Sequence, residues 1–253
     1  MTIWSKVKFY YQKALSGLTA TSTAAGYSVQ NLYNMLESTL WKATSSADQE
    51  IVFDAGSGQT YTADYLAIAN HNLKDVGATI ALQFSDDNFV SDIRNVFTPY
   101  AAGSNKALVK EGTSQTGRYS KVKLSGMTGI PFMAICIWGP LTEIGVAQTS
   151  FDPNAQNNKA SVNISSTGHL LGIHATYIER TMALIFNYLT PATYAKLNLW
   201  WETSGMGNFF IAWNLSEDAT AVYLMRPSNT FKSPHQADGQ RRQVTINLTG
   251  RKE

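Results

Sequence analysis

His71, His169, His174 and His235 are the four histidines of the chain. None stands four residues from another, the spacing that puts two imidazoles on one helix face to hold zinc. His169 and His174 are five apart, in a stretch whose polarity reads as a turn leading into a strand. The single cysteine, Cys136, sits in the apolar run Pro131–Trp138. It reads as a buried thiol, and alone it can form no intramolecular disulfide. Acidic pairs occur at Asp86–Asp87 and Glu217–Asp218. Either pair could serve a calcium ion or glycoside hydrolysis, but turn chemistry accounts for both. Gly112-Thr113-Ser114-Gln115-Thr116-Gly117-Arg118 has the glycine spacing of a phosphate-binding loop without its lysine and magnesium-holding hydroxyl. It reads as a hairpin turn leading into Tyr119–Leu124. Gly205-Met206-Gly207 follows a helical pattern where a dinucleotide loop would open one, and reads as a turn. No Gly-x-Ser-x-Gly elbow is present. No catalytic, cofactor-binding or metal-binding residue is assigned, and the expected function is non-enzymatic. Tyr61 and Tyr100, placed in loops, are the aromatics noted for stacking on a sugar.

Charged residues make up 15% of the chain, against roughly 25% in typical proteins. Sparse charge fits a surface largely buried against partners. The net charge is +2, spread evenly, with no basic stripe to bind nucleic acid. Arg241, Arg242, Arg251 and Lys252 form the one mildly basic stretch, read as a solvated tail or partner contact. No run reaches the ~20 apolar residues of a membrane span. Met1 to Lys6 shows no apolar signal region, so synthesis in the cytoplasm is expected.

The elements that would carry these residues are mostly strands. Ile51–Phe53 stops at a Gly-rich breaker, and Tyr65–Ala69 precedes a turn at Asn70–Asn72. Ile80, Leu82 and Phe84 alternate with polar or small residues, as do Val122 and Leu124 with lysines. Phe132–Trp138 is apolar on both faces, as a covered central strand would be. The polar stretch 146–168 is read as a linker or long loop separating a domain at 1–145 from one at 169–253. One helix is predicted over 191–204. Thr190 caps it, Pro191 takes its first position, Leu189 and Tyr194 staple it, and Gly205 ends it in a left-handed conformation. Its buried face is expected to carry Tyr194, Leu197 and Trp201. Strands at Met182–Phe186, Phe209–Trp213, Val222–Met225 and Val244–Leu248 flank it. Gln243, Thr245 and Asn247 form the polar face of the last.

Two segments resemble known families. Thr23–Leu32, then Trp41-Lys42-Ala43, then Gln49–Gly56 with its Asp-x-Gly ending, resembles the opening of discoidin-like, galactose-binding-like jelly rolls. Tyr65–Leu73 is similar to the next strand of phage versions. The resemblance spans about residues 20–140 and implies a β-sandwich with a possible glycan ligand. It transfers no ligand residue, because the binding loops of that family vary.

The order of Tyr177–Phe186, the capped helix, Trp200–Gly205, Phe209–Trp213, Val222–Pro227 and Gln243–Leu248 is similar to bacteriophage tail-tip proteins. These are the minor tail protein M of lambda-like phages and the distal tail proteins. The resemblance covers about residues 170–250. It implies a tail-tube-like β-sandwich in a homo-oligomeric ring, most often a hexamer, between the tail tube and the tip or hub proteins of a virion. Distal tail proteins usually carry their extra domain after the ring sandwich, whereas here it comes first. The combined expectation is a mostly β chain of two β-sandwich domains. Its role would be structural at a phage tail tip, with carbohydrate binding to a host surface as the alternative.

Overall fold

The computed structural model describes residues 6–11, 17–147, 152, 154–213, 215, 221–228, 230–236 and 239–252. Glu217, Asp218, the first five residues and part of the expected linker lie outside the described residues. The described chain is mostly β.

The strands of the first half are β1 (Val7–Tyr10), β2 (Thr19–Ala20), β3 (Trp41–Lys42), β4 (Gln49–Asp54), β5 (Tyr61–His71), β6 (Thr79–Ser85), β7 (Arg94–Asn95), β8 (Tyr100–Ala101), β9 (Leu108–Gly117), β10 (Tyr119–Ser125), β11 (Phe132–Gly139) and β12 (Thr142–Gly145). One antiparallel sheet runs β2-β4-β10-β6-β7, with β8 also on β6, and a second runs β3-β11-β5-β9. Alternation decides which side chains face inward. Ile80, Leu82, Phe84, Val122, Leu124 and Ile51 of the first sheet meet Leu66, Ile68, Cys136 and Trp138 of the second in one core. Each large apolar side chain buried there stabilises by about 1.5–3 kcal/mol. The result is a β-sandwich. Strand β11 is covered on both faces as its composition predicts, because Ile135 and Ile137 on the far side are also buried.

The glycine-spaced segment is not a hairpin turn. Gly112 to Gly117 lie within β9, which pairs with β5 in one sheet, whereas β10 belongs to the other. Only Arg118 separates the two strands, so the chain there crosses between sheets. A Cβ on Gly112 would stand 2.0 Å from the Val96 carbonyl oxygen. Glycine is needed because another backbone approaches, not to wrap a phosphate.

In the second half the strands are β13 (Gln156–Ile164), β14 (Leu170–Leu189), β15 (Phe209–Ala212), β16 (Val222–Pro227) and β17 (Arg242–Arg251), with helix α1 (Pro191–Ser204). Residues 146–168 therefore hold a strand where a linker was expected. Val162 and Ile164 do alternate with Ser161 and Asn163, but the polar flanks mask so short a pattern. Met182, Leu184 and Phe186 pair with Leu248, Ile246 and Val244, and all six are buried. Arg242 and Arg251 lie within β17 rather than in a tail. The Arg242 guanidinium covers the Tyr194 ring at 4.4 Å and donates to the Ser233 carbonyl at 3.0 Å.

Helix α1 has the predicted bounds. The Thr190 hydroxyl accepts from the Thr193 N–H at 3.3 Å. Its end differs from expectation: Gly205 has φ −63°, a right-handed value. A Cβ there would lie 2.4 Å from the Trp201 carbonyl oxygen and 2.8 Å from its indole, so space and not handedness demands glycine. The buried face is carried by Leu197 and Trp200, while Trp201 stacks on Phe231 at 5.1 Å. Thr190→Ala will cost about 1 kcal/mol of stability. Thr190→Ser should keep most of it, as read by urea unfolding; equal stability of wild type and Thr190→Ala would show the cap contributes nothing.

The chain divides into two compact units made of interleaved segments. One comprises Lys8–Glu143 and Phe209–Tyr223, the other Met1–Val7, Ile144–Asn208 and Leu224–Glu253. Within the first, β1 pairs with β15, so Lys8, Phe9 and Tyr10 stand opposite Ala212, Ile211 and Phe210.

Candidate functional site

Strand register sorts the loops of the sandwich into two ends. Tyr119 stands beside both Asp54 and Ser85. That end gathers residues 55–60, 86–93 and Arg118. Its charges satisfy one another. Arg118 forms a bidentate pair with Asp54 at 2.8 and 2.9 Å, and Arg94 bridges Asp86 and Asp92 at 2.8 and 3.0 Å. The Asp87 carboxylate accepts from the Ser91 and Ser85 hydroxyls and from the backbone N–H groups of Val90, Ser91 and Asp92. The hydroxyl bonds from Ser91 and Ser85 lead in holding it well below the usual carboxylate range. Asp86 and Asp87 thus tie down a turn. Among the described residues no group of three or more His, Cys, Asp or Glu is placed to hold a metal.

A second polar cluster lies on the strands. Both Glu111 carboxylate oxygens accept from Lys8 Nζ, at 3.0 and 2.7 Å, and Oε1 also accepts from the Tyr10 hydroxyl at 2.5 Å. Burial, then the hydrogen bond to Glu111, pushes the Tyr10 phenol far up. Asp64 accepts from the Leu141 N–H at 2.7 Å, and burial raises it above the ordinary carboxylate range. Tied to fixed strands in this way, the cluster joins β1 to β9.

The opposite end is different in kind. Leu124 beside Gln49 and Ile80, and Met133 beside Trp41 and His71, bring together residues 21–40, 43–48, 72–78, 102–107 and 126–131. Asparagine amides clamp these loops. Asn31 donates to the Leu40 carbonyl, Asn70 to that of Glu37, and Asn72 to that of Ile130 while accepting from the Phe132 N–H. Asn70 holds φ +49°, a left-handed value that asparagine tolerates better than most residues. On this platform the loop at 24–27 docks onto β3, with Ala24 N–H donating to the Lys42 carbonyl at 2.8 Å. The loop displays the Tyr27 ring, 39% exposed, with Lys42 Nζ 5.8 Å from its centroid. The arrangement is an end of hydrogen-bonded loops that offers an aromatic face and an ammonium.

The residues singled out by sequence have other duties. Tyr61 lies in β5 and donates to the Trp138 carbonyl at 2.7 Å, packed edge-on to Phe53. Tyr100 lies in β8 against Phe97. Neither is a free loop aromatic. His71 is the buried last residue of β5, and His169 and His174 are exposed. His235 lies exposed in a bridge to Arg242. Cys136 is buried, and burial pushes its thiol up. An open cleft of about 530 Å3 is lined by Asn95–Pro99, Gly112 and Thr113, none of them charged. Tyr27 was missed, although a lone aromatic between Gly26 and Ser28, outside any apolar run, was a usable signal.

No protein-family model matches the chain, and no curated protein does. Among solved structures, it is similar to the CBM32 of AlyQ in complex with 4,5-unsaturated mannuronic acid, at 17% identity and TM-score 0.41, over 51% of this chain and 96% of that one. A chitosan-binding module 1 from a chitosanase/glucanase of Paenibacillus sp. IK-5 gives 16% identity and TM-score 0.42, over 50% and 98%. CpGH89CBM32-5 from Clostridium perfringens, in complex with GalNAc-beta-1,3-galactose, gives 15% and 0.40, over 49% and 94%. These scores lie below 0.5, and the sandwich assignment rests on the strand pairings described above.

Proposed function

We propose that the first unit is a non-catalytic carbohydrate-recognition module that binds through the loop end carrying Tyr27. The observation that carries this reading is the exposed Tyr27 ring beside Lys42, on loops already immobilised by Asn31, Asn70 and Asn72. A sugar ring presents C–H groups to an aromatic face and hydroxyls to fixed polar groups, and a preformed platform spares the entropy of ordering loops. The carboxylates at the other end are engaged with arginines or with the turn itself, which supports a binding role over hydrolysis. On a glycan array, the full chain should bind a defined set of glycans, and Tyr27→Ala should weaken that binding about tenfold. An intact wild-type chain that binds no glycan would sink the reading. Unchanged binding by Tyr27→Ala would move the site elsewhere.

A second reading is favoured by the element order of the later segments: a long strand, the helix Pro191–Ser204, then β15, β16 and β17. In it the protein is a structural component of a bacteriophage tail tip, forming a homo-oligomeric ring, a hexamer in the leading case, against tail-tube and hub proteins. The two readings are compatible, since such a ring can carry a recognition module. Mass spectrometry of purified virions, with immunogold labelling at the tail tip, tests it. Absence of the protein from virions would refute it.

A further inference from the structure

Tyr27 does not stand alone at its end of the sandwich. Lys42, the last residue of β3, brings its ammonium to 5.8 Å from the ring centroid. That is close to the ~6 Å limit at which a ring holds a cation, so the ring is a weak partner. Among the described residues Lys42 forms no ion pair. The same is true of Lys74 and Lys106, on adjoining loops joined by the Lys74 N–H donating to the Asn105 side chain at 2.9 Å. By contrast Lys8, Arg94, Arg118, Lys121 and Lys123 each hold a carboxylate.

The distribution of charge along the sandwich points the same way. The end at Tyr119 sets Asp54, Asp86, Asp87 and Asp92 against Arg94 and Arg118. The Tyr27 end sets Lys42, Lys74, Lys106 and Lys123 against Glu37, Asp48 and Asp75, and Asp48 is engaged by Lys123 at 3.9 Å. One end thus carries an acidic excess and the other a slight basic one, a field that turns the approach of an anion toward Tyr27. A ligand seated on the Tyr27 ring also takes water from the ammonium beside it. A neutral sugar returns only hydroxyl oxygens and leaves the charge uncompensated. An amino sugar adds a like charge. A sugar that bears a carboxylate or a sulfate returns a countercharge, and hydrogen bonds to ionised partners are about twice as strong as neutral ones.

We infer that the Tyr27 end selects anionic glycans, whose sugars carry carboxylate or sulfate, and that Lys42 reads the charge of the sugar stacked on Tyr27. This rests on the sugar-binding reading of that end and adds a ligand class to it. Lys74 and Lys106 extend the basic field to the neighbouring loops.

The test compares glycans that differ only in charge. An array of matched pairs sets uronate glycans beside their methyl esters and sulfated glycans beside their unsulfated parents. The full chain should bind the charged member about tenfold more tightly, and the pairs that respond identify carboxylate or sulfate as the source of the charge. Added sodium chloride should weaken binding of the charged member. Lys42→Met keeps the apolar stem. It should lose about tenfold on the charged member and little on the neutral one, with its thermal unfolding unchanged. Tyr27→Ala should weaken both members. Equal binding of both members, lost in Tyr27→Ala, would overturn the charge selection and leave the binding end standing. Binding of no glycan would remove the reading beneath it, and the inference with it. A preference for neutral or amino sugars, or an undiminished charge preference in Lys42→Met, would overturn it. So would salt-independent binding of the charged member, a measurement on the unmodified protein that no misfolded variant can decide.

Discussion

Trp138→Ala will destabilise the protein by about 4 kcal/mol, within the ~3–5 kcal/mol range for emptying a buried aromatic site. Trp138 is 1% exposed, in the core between the two sheets. The core residues of the facing sheet sit on strands held by the β10 ladders to β4 and β6, so they cannot readily collapse into the space left. The indole N–H also donates to the Ser120 hydroxyl at 2.9 Å, and Ser120 is itself fully buried. Alanine would leave that hydroxyl without its partner, adding to the cavity cost. A graded series separates the two effects. Trp138→Phe retains much of the volume and should lose about 1–2 kcal/mol through the orphaned hydroxyl and the smaller ring. Ser120→Ala leaves the indole N–H unpaired and should cost a similar amount. Urea unfolding at neutral pH measures all three. A loss below ~1.5 kcal/mol for Trp138→Ala would mean that the site relaxes, contrary to the rigid sandwich described.

The second large effect is a loss of stability on mild acidification, traceable to His71. Its side chain is 3% exposed. Nδ1 accepts from the Leu73 N–H at 3.2 Å, so the ring proton lies on Nε2, which donates to the Lys106 carbonyl at 3.0 Å. Burial pulls its pKa down from 6.5 to about 4. The folded ring stays neutral while the unfolded one takes up a proton. Between pH 6.5 and about 4 the unfolded state binds more protons, and linkage makes stability fall with pH across that window. At about 1.4 kcal/mol per pH unit the total is on the order of 3 kcal/mol. Above pH 6.5 the group contributes no slope. His71→Gln should be less stable at pH 7, having lost a fitted ring, yet its stability should vary less from pH 6.5 to 4. The same acid slope in both proteins would assign the effect to another group. Protonation also places a proton on Nδ1, facing the Leu73 N–H, so the turn at 72–78 should loosen first, which amide exchange at pH 5 would show.

These two residues differ in how far they could be read in advance. The run Phe132–Trp138 announces a doubly covered strand, because consecutive apolar residues can be buried only if both faces are covered. The same holds for Ile80, Leu82 and Phe84 in β6 and for Met182, Leu184 and Phe186 in β14: a period of two is a local property and survives in any fold that buries one face. Helix α1 was legible to the residue, since Thr190 and Pro191 act within one turn. His71 was not legible. Its position beside Asn70 and Asn72 signals a turn, and only the approach of Lys106 and the packing of β5 make it the buried end of a strand.

The boundary between local and distant causes runs through the rest of the molecule in the same way. Composition and periodicity alone determine that the chain is mostly β with a capped helix and that its thiol sits in an apolar run. They do so because side-chain alternation and helix capping depend on neighbours a few residues away. Tertiary structure alone decides that Gly112 admits the Val96 carbonyl, that Gly205 makes room for Trp201, and that Tyr61 and Tyr100 pack against partners while Tyr27 stands clear. It also decides that residues 156–164 pair into an arm whose apolar face is uncovered. For Gly112 and Tyr61 the cause is which distant segment arrives opposite the residue, and that arrival leaves no periodic mark in the sequence. Gly205 and Trp201, Tyr100 and Phe97, and strands β13 and β14 are near neighbours in the chain, and there the rest of the fold decides which faces are covered and which are not.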